Sequence, residues 1–389
     1  MKTAIKVITL FFISVLAIYF LYNNNILDLN SLKNAFYEHK KLILLIAILQ
    51  VINCFLMTAR YFSILKIFKV KTDFHNVTAA TFVSNGLGQW LPGSMAFIEV
   101  IRIGLMLGAD KYNFLNKKEK KLEGDKEINS NSFLVEKNLN ELSLKSKLLA
   151  ISIMDRIIGI LVMLGFGIIF LLKEIIFMKN TIHLELIFYF SFSIFLFLFL
   201  VALPFISRIL FIRKLITRIE RILITPIKAK LIKKVLKKCF EEINSLLDAI
   251  ALGSKKIASF GVPIIFSCFS VLSLVFSFYF SAKAISANLP LQVIFAVLPM
   301  LSLASLIPMG LAGMGGMQIV SVLLFSIFAV SSNTASSAQL LQTAVNLLSI
   351  SCVGLFFARL SAKQIHAIIQ AKKNANLLAK RNMSDITDI

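Results

Sequence analysis

The stretch IPMGLAGMGG, residues 307–316, lies where two apolar segments meet, 289–309 and 317–330. Proline lacks a backbone donor and breaks a helix, and glycine permits a tight turn. The second segment is also shorter than the roughly 20 residues that a membrane-crossing helix needs. Irregular backbone survives at membrane depth only where protein or a water-filled cavity covers it. The stretch therefore predicts a re-entrant helical hairpin, which enters the membrane and leaves on the same side.

A similar break lies earlier in the chain, where segments 77–91 and 94–108 meet at Pro92-Gly93. Each segment has 15 residues, which is too few to span the hydrocarbon. We therefore expect a second re-entrant hairpin here. The residues that break the helices in the two hairpins are Pro92, Gly93, Pro308, Gly310, Gly313, Gly315 and Gly316.

Composition places both hairpins in a membrane protein. Of the 389 residues, 58% are hydrophobic and 16% are charged, whereas soluble domains are about 45–50% apolar and about 25% charged. The apolar runs do not alternate as the strands of an outer-membrane barrel do. We predict an all-α, polytopic integral membrane protein. Besides the four hairpin segments, its apolar segments are 7–22, 42–59, 148–172, 184–206, 258–280 and 338–358.

The distribution of basic residues predicts the orientation. With the N-terminus inside, 34 of the 42 Lys and Arg residues fall in cytoplasmic stretches and six fall outside. Cytoplasmic loops of membrane proteins carry such an excess. The first hairpin then opens on the cytoplasmic side and the second on the outer side, and both termini are cytoplasmic. Two hairpins of opposite orientation predict an inverted repeat, as in many secondary transporters.

The chain divides into a membrane domain and several basic parts. Residues 1–22 predict an N-terminal signal-anchor helix, and 42–360 form the transmembrane domain. Within it, 116–147 reads as a charged cytoplasmic insertion and 207–257 as a basic amphipathic cytoplasmic segment. The latter either contacts anionic lipid headgroups or serves as a plain linker that obeys the charge rule. Residues 361–389 form a basic cytoplasmic tail.

Four charged residues inside apolar segments are the main candidates for a site. Each costs at least about 2.5 kcal/mol at a helix centre, so such residues are paired or functional. Glu99 and Arg102 lie on one helix face, three residues apart, whereas Asp155 and Arg156 are adjacent and point about 100° apart. We expect Asp155 to face Arg102. Either Arg102 and Arg156 bind a lipid phosphate, or the four charges neutralise one another and fasten the hairpin.

Three uncharged side chains near the breaks are further candidates. Gln89 and Trp90 precede the first break and Gln318 follows the second. The first two either line the cavity of the site or, for Trp90, anchor a helix end at the interface. Gln318 either hydrogen-bonds a headgroup or satisfies unwound backbone.

Other function classes lack their signatures. The net charge of +22 reflects cytoplasmic loops, so we expect no nucleic-acid partner. The sequence contains no GxxxxGK[ST], GxSxG, HExxH or CxxC motif, so we predict no catalytic residues, no metal site and no cofactor. The four isolated cysteines read as core or lipid-facing residues.

Three runs in a characteristic order resemble a known family. They are LPGS followed by EVIR at 99–102, DRIIG at 155–159 and IPMGLAGMG at 307–315. Together they resemble the flippase-like family, or lysylphosphatidylglycerol synthase transmembrane region, over about residues 42–360. The family's Arg-Glu after the second hairpin is Met317-Gln318 here, and the spacing from Pro92 to Glu99 is longer than usual.

The resemblance implies lipid handling in a bacterial cytoplasmic membrane. In the bacterial multiple peptide resistance factor, a domain like this flips aminoacylated phosphatidylglycerol, and a separate soluble domain is the synthase. We expect this chain to translocate or bind an anionic lipid, either aminoacylated phosphatidylglycerol or a polyprenyl-phosphate-linked glycan. The alternatives are a membrane subunit that serves a soluble lysyltransferase-type synthase, and a non-transporting scaffold for proteins of an envelope-glycan pathway.

Overall fold

The computed structural model describes residues 19, 22–24, 27–91, 97–108, 144–177, 184–206, 218, 257–305 and 316–387, with side chains of the last helix up to Arg359. Most of the predicted N-terminal anchor, the insertion 116–147 and the basic segment 207–257 lie outside these residues. So do the breaks at Pro92-Gly93 and from Pro308 to Gly315. The two hairpins therefore stay predictions.

Every regular element among the described residues is helical, which confirms the all-α class. The helices are α1 (Leu29–Glu38), α2 (Lys40–Ile67), α3 (Phe74–Gly88), α4 (97–108), α5 (Leu144–Phe177), α6 (Leu184–Ile206), α7 (Gly261–Ala284, after a 3₁₀ turn at Ile257–Phe260), α8 (Leu291–Ala304), α9 (Gly316–Ser326) and α10 (Ser332–Thr387).

Five of these helices are long and apolar enough to cross a membrane. The candidate spans are Lys40–Ile67, Lys147–Lys173, Glu185–Ala202, Gly261–Ala284 and Ser332–Arg359. Most residues within these spans are not buried by the protein, as expected for helices whose apolar faces contact lipid. The protein is a multi-pass membrane protein.

The helices fall into two halves with the same order of lengths. Helices α2 to α5 form the first half, in the order long, short, short, long, and α7 to α10 repeat that order. The packing between halves is also matched. The equivalent helices α2 and α7 pack along each other at the centre. The contact of α3 with α10 has its counterpart in the contact of α8 with α5. Likewise, the contact of α2 with α10 has its counterpart in the contact of α7 with α5. This agrees with the repeat that the sequence predicts.

Two glycines give the register of the repeat. A Cβ on Gly354 of α10 would lie 2.8 Å from the carbonyl oxygen of Phe82 and 3.2 Å from Cα of Gly86, both on α3. A Cβ on Gly167 of α5 would lie 3.2 Å from the carbonyl oxygen of Phe295 and 3.0 Å from Cγ of Pro299, both on α8. The contacted residues are four apart in each half. The two equivalent interfaces thus bring helices together at matching positions.

The central α2–α7 interface is polar rather than purely apolar. The buried Gln50 donates from Nε2 to Ser277 Oγ at 2.7 Å, and Ser270 donates to Asn53 Oδ1 at 2.5 Å. Small serine side chains let membrane helices approach closely, and polar side chains hydrogen-bond across the interface. This seam joins the two halves and leads along α2 to Arg60.

Each half also has its own hydrophobic core. One core packs residues of α2, including Ile64 and Leu65, against α4 and α5. The other packs α7, α8 and α9 against the start of α10, around Phe278, Val297 and Phe325. The candidate site lies beside the first core.

Candidate functional site

Five charged side chains meet where α2, α4 and α5 come together. They are Arg60, Glu99, Arg102, Asp155 and Arg156, and we call them the charged cluster. Arg60 is about two turns before the end of α2. Three cations face two anions, so the cluster has a formal charge of +1 when all five groups are ionised.

Arg60 and Asp155 form a closed, bidentate ion pair. Arg60 Nε lies 2.6 Å from Asp155 Oδ1, and Nη2 lies 3.1 Å from Oδ2. The remaining nitrogen, Nη1, donates to Ser267 Oγ on α7 at 3.3 Å. Both charged side chains are buried. This pair therefore satisfies two buried charges and ties the first half to the second.

Glu99 bridges the two other arginines. Its Oε2 accepts from Arg102 Nη2 at 2.5 Å, and its Oε1 accepts from Arg156 Nε and Nη2 at 2.9 and 2.7 Å. The pairing of Glu99 with Arg102 within one helix face is as the sequence predicts. Because Asp155 and Arg156 point in different directions, each finds a partner on a different helix.

Arg102 is completely buried and only partly satisfied. Its Nη2 lies 3.7 Å from Asp155 Oδ2, so Asp155 does face Arg102, although its shorter bonds go to Arg60. The guanidinium carbon lies 3.9 Å from the centre of the Tyr61 ring, a favourable cation–π contact. Among the described residues, Nε and Nη1 of Arg102 have no hydrogen-bond partner. These two donors are available to a further acceptor.

The cluster is open on one edge. The side chains of Glu99 and Arg156 are 18% and 20% exposed, whereas those of Arg102 and Asp155 are 0% exposed. A molecule that approaches the cluster therefore meets Arg156 and Glu99 first. A guanidinium matches the geometry of a phosphate with two parallel hydrogen bonds. The arrangement can thus bind an anion at its edge, with the donors of Arg102 behind it.

Gly159 makes room for this arrangement. It lies one turn after Asp155 on α5, and a Cβ there would lie 2.8 Å from Arg60 Nη1 and 3.3 Å from Cζ. Real Cβ atoms do not approach other atoms so closely. The glycine of the run DRIIG is therefore explained by the Arg60 side chain that crosses it.

The comparisons with known proteins identify the family. Residues 133–354 match the family model of the lysylphosphatidylglycerol synthase TM region, and these residues are more than half of the chain. The chain belongs to this family. No curated protein and no solved structure matches. The matched region includes Asp155, Arg156 and the second break, whereas Arg60, Glu99 and Arg102 precede it.

In the second half of this family member, the buried polar side chains that the structure describes on α9 and α10 are uncharged. They are those of Gln318, Ser321, Ser336, Ser337, Gln339 and Gln342. Ser321 Oγ donates to the carbonyl oxygens of Gln318 and Ala335 at 2.8 and 3.2 Å. Gln342 precedes Gly354 by the same twelve residues by which Asp155 precedes Gly167. In this register a neutral glutamine stands where the first half has an aspartate.

The side chains of Gln89 and Trp90 make hydrogen bonds to the last helix. Gln89 Oε1 accepts from Asn346 Nδ2 at 3.4 Å, and Trp90 Nε1 donates to Ser351 Oγ at 2.8 Å. Both partners are on α10. These bonds attach the end of α3 to the other half of the molecule, and the Trp90 side chain remains 42% exposed.

Sequence reasoning missed Arg60 and Tyr61. The apolar segment 42–59 ends just before Arg60, so the sequence alone places this arginine in a cytoplasmic stretch. The structure continues the helix to Ile67. The signal that could have found it is the apolar series Tyr61, Ile64 and Leu65, which continues at helical spacing beyond the charge.

Among the described residues, no three His, Cys, Asp or Glu side chains form a group that could hold a metal ion.

Proposed function

We propose that this protein binds an anionic membrane lipid at the charged cluster and moves its headgroup between the two leaflets. The observation that carries the proposal is the excess cation of the cluster, together with two donors of Arg102 that have no partner among the described residues. A phosphodiester supplies both the negative charge and the acceptor oxygens. The family itself supports a role related to membrane lipids.

The position of the cluster supports movement rather than binding alone. Arg60 joins the first half to Ser267 of the second half, and the helix order repeats across the two halves. Alternating access in repeat-built transporters is largely the rocking of one repeat against the other around a fixed site. The lipids that fit are aminoacylated phosphatidylglycerol and polyprenyl-phosphate-linked glycans, since both carry a phosphate. The cluster would face the cytoplasmic leaflet of a bacterial inner membrane.

A leaflet-exchange experiment tests the proposal. Purified protein is reconstituted into vesicles that contain a trace of fluorescent phosphatidylglycerol or fluorescent polyprenyl phosphate, and dithionite quenches the label in the outer leaflet. We expect quenching beyond that of protein-free vesicles, and its loss in Arg156→Gln, which removes the exposed guanidinium. Lys71→Gln is the matched control, since Lys71 is an exposed cation just beyond α2. Equal exchange in wild type and Arg156→Gln would contradict the assignment of the site.

A second candidate is a lipid-binding protein that does not transport. The polar side chains that are buried on the described parts of α9 and α10 favour it, because none of them is a cation that could receive the phosphate. Selective binding of anionic lipid without leaflet exchange would select this candidate. Such a protein would serve a soluble transferase or an envelope-glycan pathway as a membrane subunit.

A further inference from the structure

Glu99 differs from the other carboxylate of the charged cluster. Asp155 is completely buried and accepts hydrogen bonds from Nε and Nη2 of Arg60, one on each carboxylate oxygen. The Glu99 carboxylate lies at the open edge, with one oxygen on Arg102 and the other on Arg156. One carboxylate is thus fixed, and the other is within reach of an incoming molecule.

The Glu99 carboxylate has the features of a phosphodiester. Each carries a single negative charge and presents two oxygens to cationic donors. Glu99 uses its two oxygens on two different guanidinium groups. A lipid phosphate at the same place would bond to Arg156 and could also accept from Nε or Nη1 of Arg102, which Glu99 does not use.

We propose that Glu99 is an internal counter-ion that occupies the headgroup site when no lipid is bound, and that the lipid phosphodiester replaces it on Arg156 and Arg102. This inference rests on the proposed function and specifies its binding step. The exchange keeps the arginines paired in both states, so a buried guanidinium is never left without an anion. Uncompensated buried charges are costly, and the exchange avoids that cost.

Competition makes the inference testable, because removal of the competitor must tighten binding. The protein is reconstituted into phosphatidylcholine vesicles with a trace of spin-labelled phosphatidylglycerol or spin-labelled phosphatidylcholine. The fraction of immobilised label gives the preference for the anionic lipid. We expect Glu99→Gln to raise this preference by about two- to fivefold, the range of a partly exposed ion pair. We expect Arg156→Gln to abolish it.

Asp73→Asn is the matched control, since it removes one exposed carboxylate from the loop after α2 and so makes the same change in net charge. We expect it to leave the preference unchanged. A reduced or unchanged preference in Glu99→Gln overturns the exchange, as does an equal rise in Asp73→Asn. A wild-type protein with no preference contradicts the proposed function itself. Inorganic phosphate in excess should leave the label bound, and full displacement would assign the site to an aqueous anion.

Discussion

The Arg60–Asp155 pair determines what the rest of the charged cluster can do. Asp155 is fully buried and lies 3.7 Å from Arg102, but both of its carboxylate oxygens accept shorter hydrogen bonds from Arg60. Arg102 is therefore left with Glu99 as its main partner. The residues that we propose to bind the lipid and the residues that form the buried ion pair are thus different members of one cluster.

Removal of one partner of this pair should destabilise the protein strongly. Asp155→Leu leaves the buried Arg60 without its anion, and Arg60→Met leaves Asp155 with only the more distant Arg102 at 3.7 Å. Breaking a buried pair in this way costs about 3–5 kcal/mol. The double variant Arg60→Met/Asp155→Leu leaves neither charge, so we expect it to recover most of the loss. Thermal unfolding in detergent measures all three. A double variant that is as unstable as the sum of the two single variants would contradict this account.

The cost of burying a charge made four members of the cluster predictable from the sequence. Glu99, Arg102, Asp155 and Arg156 lie within apolar segments, where a charge needs a reason. Arg60 lies at the edge of such a segment, so the positive-inside rule explained it equally well. The apolar series Tyr61, Ile64 and Leu65 extends the helix past Arg60, but it does not show whether the arginine side chain is buried or faces solvent. The difference depends on tertiary contacts to α5 and α7.

At the scale of helices, close approach at glycine holds the two halves together. A Cβ on Gly86 would lie 3.2 Å from the carbonyl oxygen of Ile350 and 3.3 Å from Cα of Gly354. A Cβ on Gly354 would lie 2.8 Å from the carbonyl oxygen of Phe82 and 3.2 Å from Cα of Gly86. Backbone atoms cannot move aside as the end of a flexible side chain can. Helices α3 and α10 therefore tolerate no side chain at this crossing.

A leucine at this crossing should force the helices apart. We expect Gly354→Leu to lower the stability by at least the 1–3 kcal/mol typical of overpacking. Gly104→Leu is the matched control, because Gly104 is an exposed glycine of α4 with nothing within 4 Å of its Cβ position. We expect that variant to unfold at or above the wild-type temperature. Equal effects of the two substitutions would show that the crossing is not tight.

Helix positions were predictable where composition changes sharply and less so elsewhere. The short segments 94–108 and 317–330 correspond to α4 and α9. Helix α10, however, starts at Ser332, six residues before the predicted apolar segment. Its first turns contain Ser336 and Ser337, which lie outside the predicted apolar segment but are buried. Such polar turns are helical because tertiary packing outweighs local preference.

For the whole molecule, the two halves repeat the fold but not the chemistry. The order of helices and the glycine contacts are matched, whereas Asp155 has a glutamine, Gln342, at the equivalent place. The sequence predicts the repeat, since both breaks are visible as Pro and Gly. The register of the halves required the structure, because it depends on which residues meet across α3–α10 and α5–α8.

If the halves rock against each other during transport, a covalent link between them should stop it. Gln89 of α3 and Asn346 of α10 lie in different halves, with their side chains 3.4 Å apart. In a background without native cysteines, we expect a short thiol-specific cross-linker between Gln89→Cys and Asn346→Cys to abolish leaflet exchange. Reductive release of the link should restore it.

The control pair is Phe62→Cys and Phe74→Cys, which joins α2 to α3 inside the first half, where the two rings lie 5.3 Å apart. A link there leaves the halves able to move as units, so exchange should continue. The completeness of both cross-links can be measured by mass spectrometry of the intact protein. Exchange that persists with the halves fully linked would show that the lipid crosses a fixed surface. In that case the repeat serves to build the site, because the two halves would not need to move.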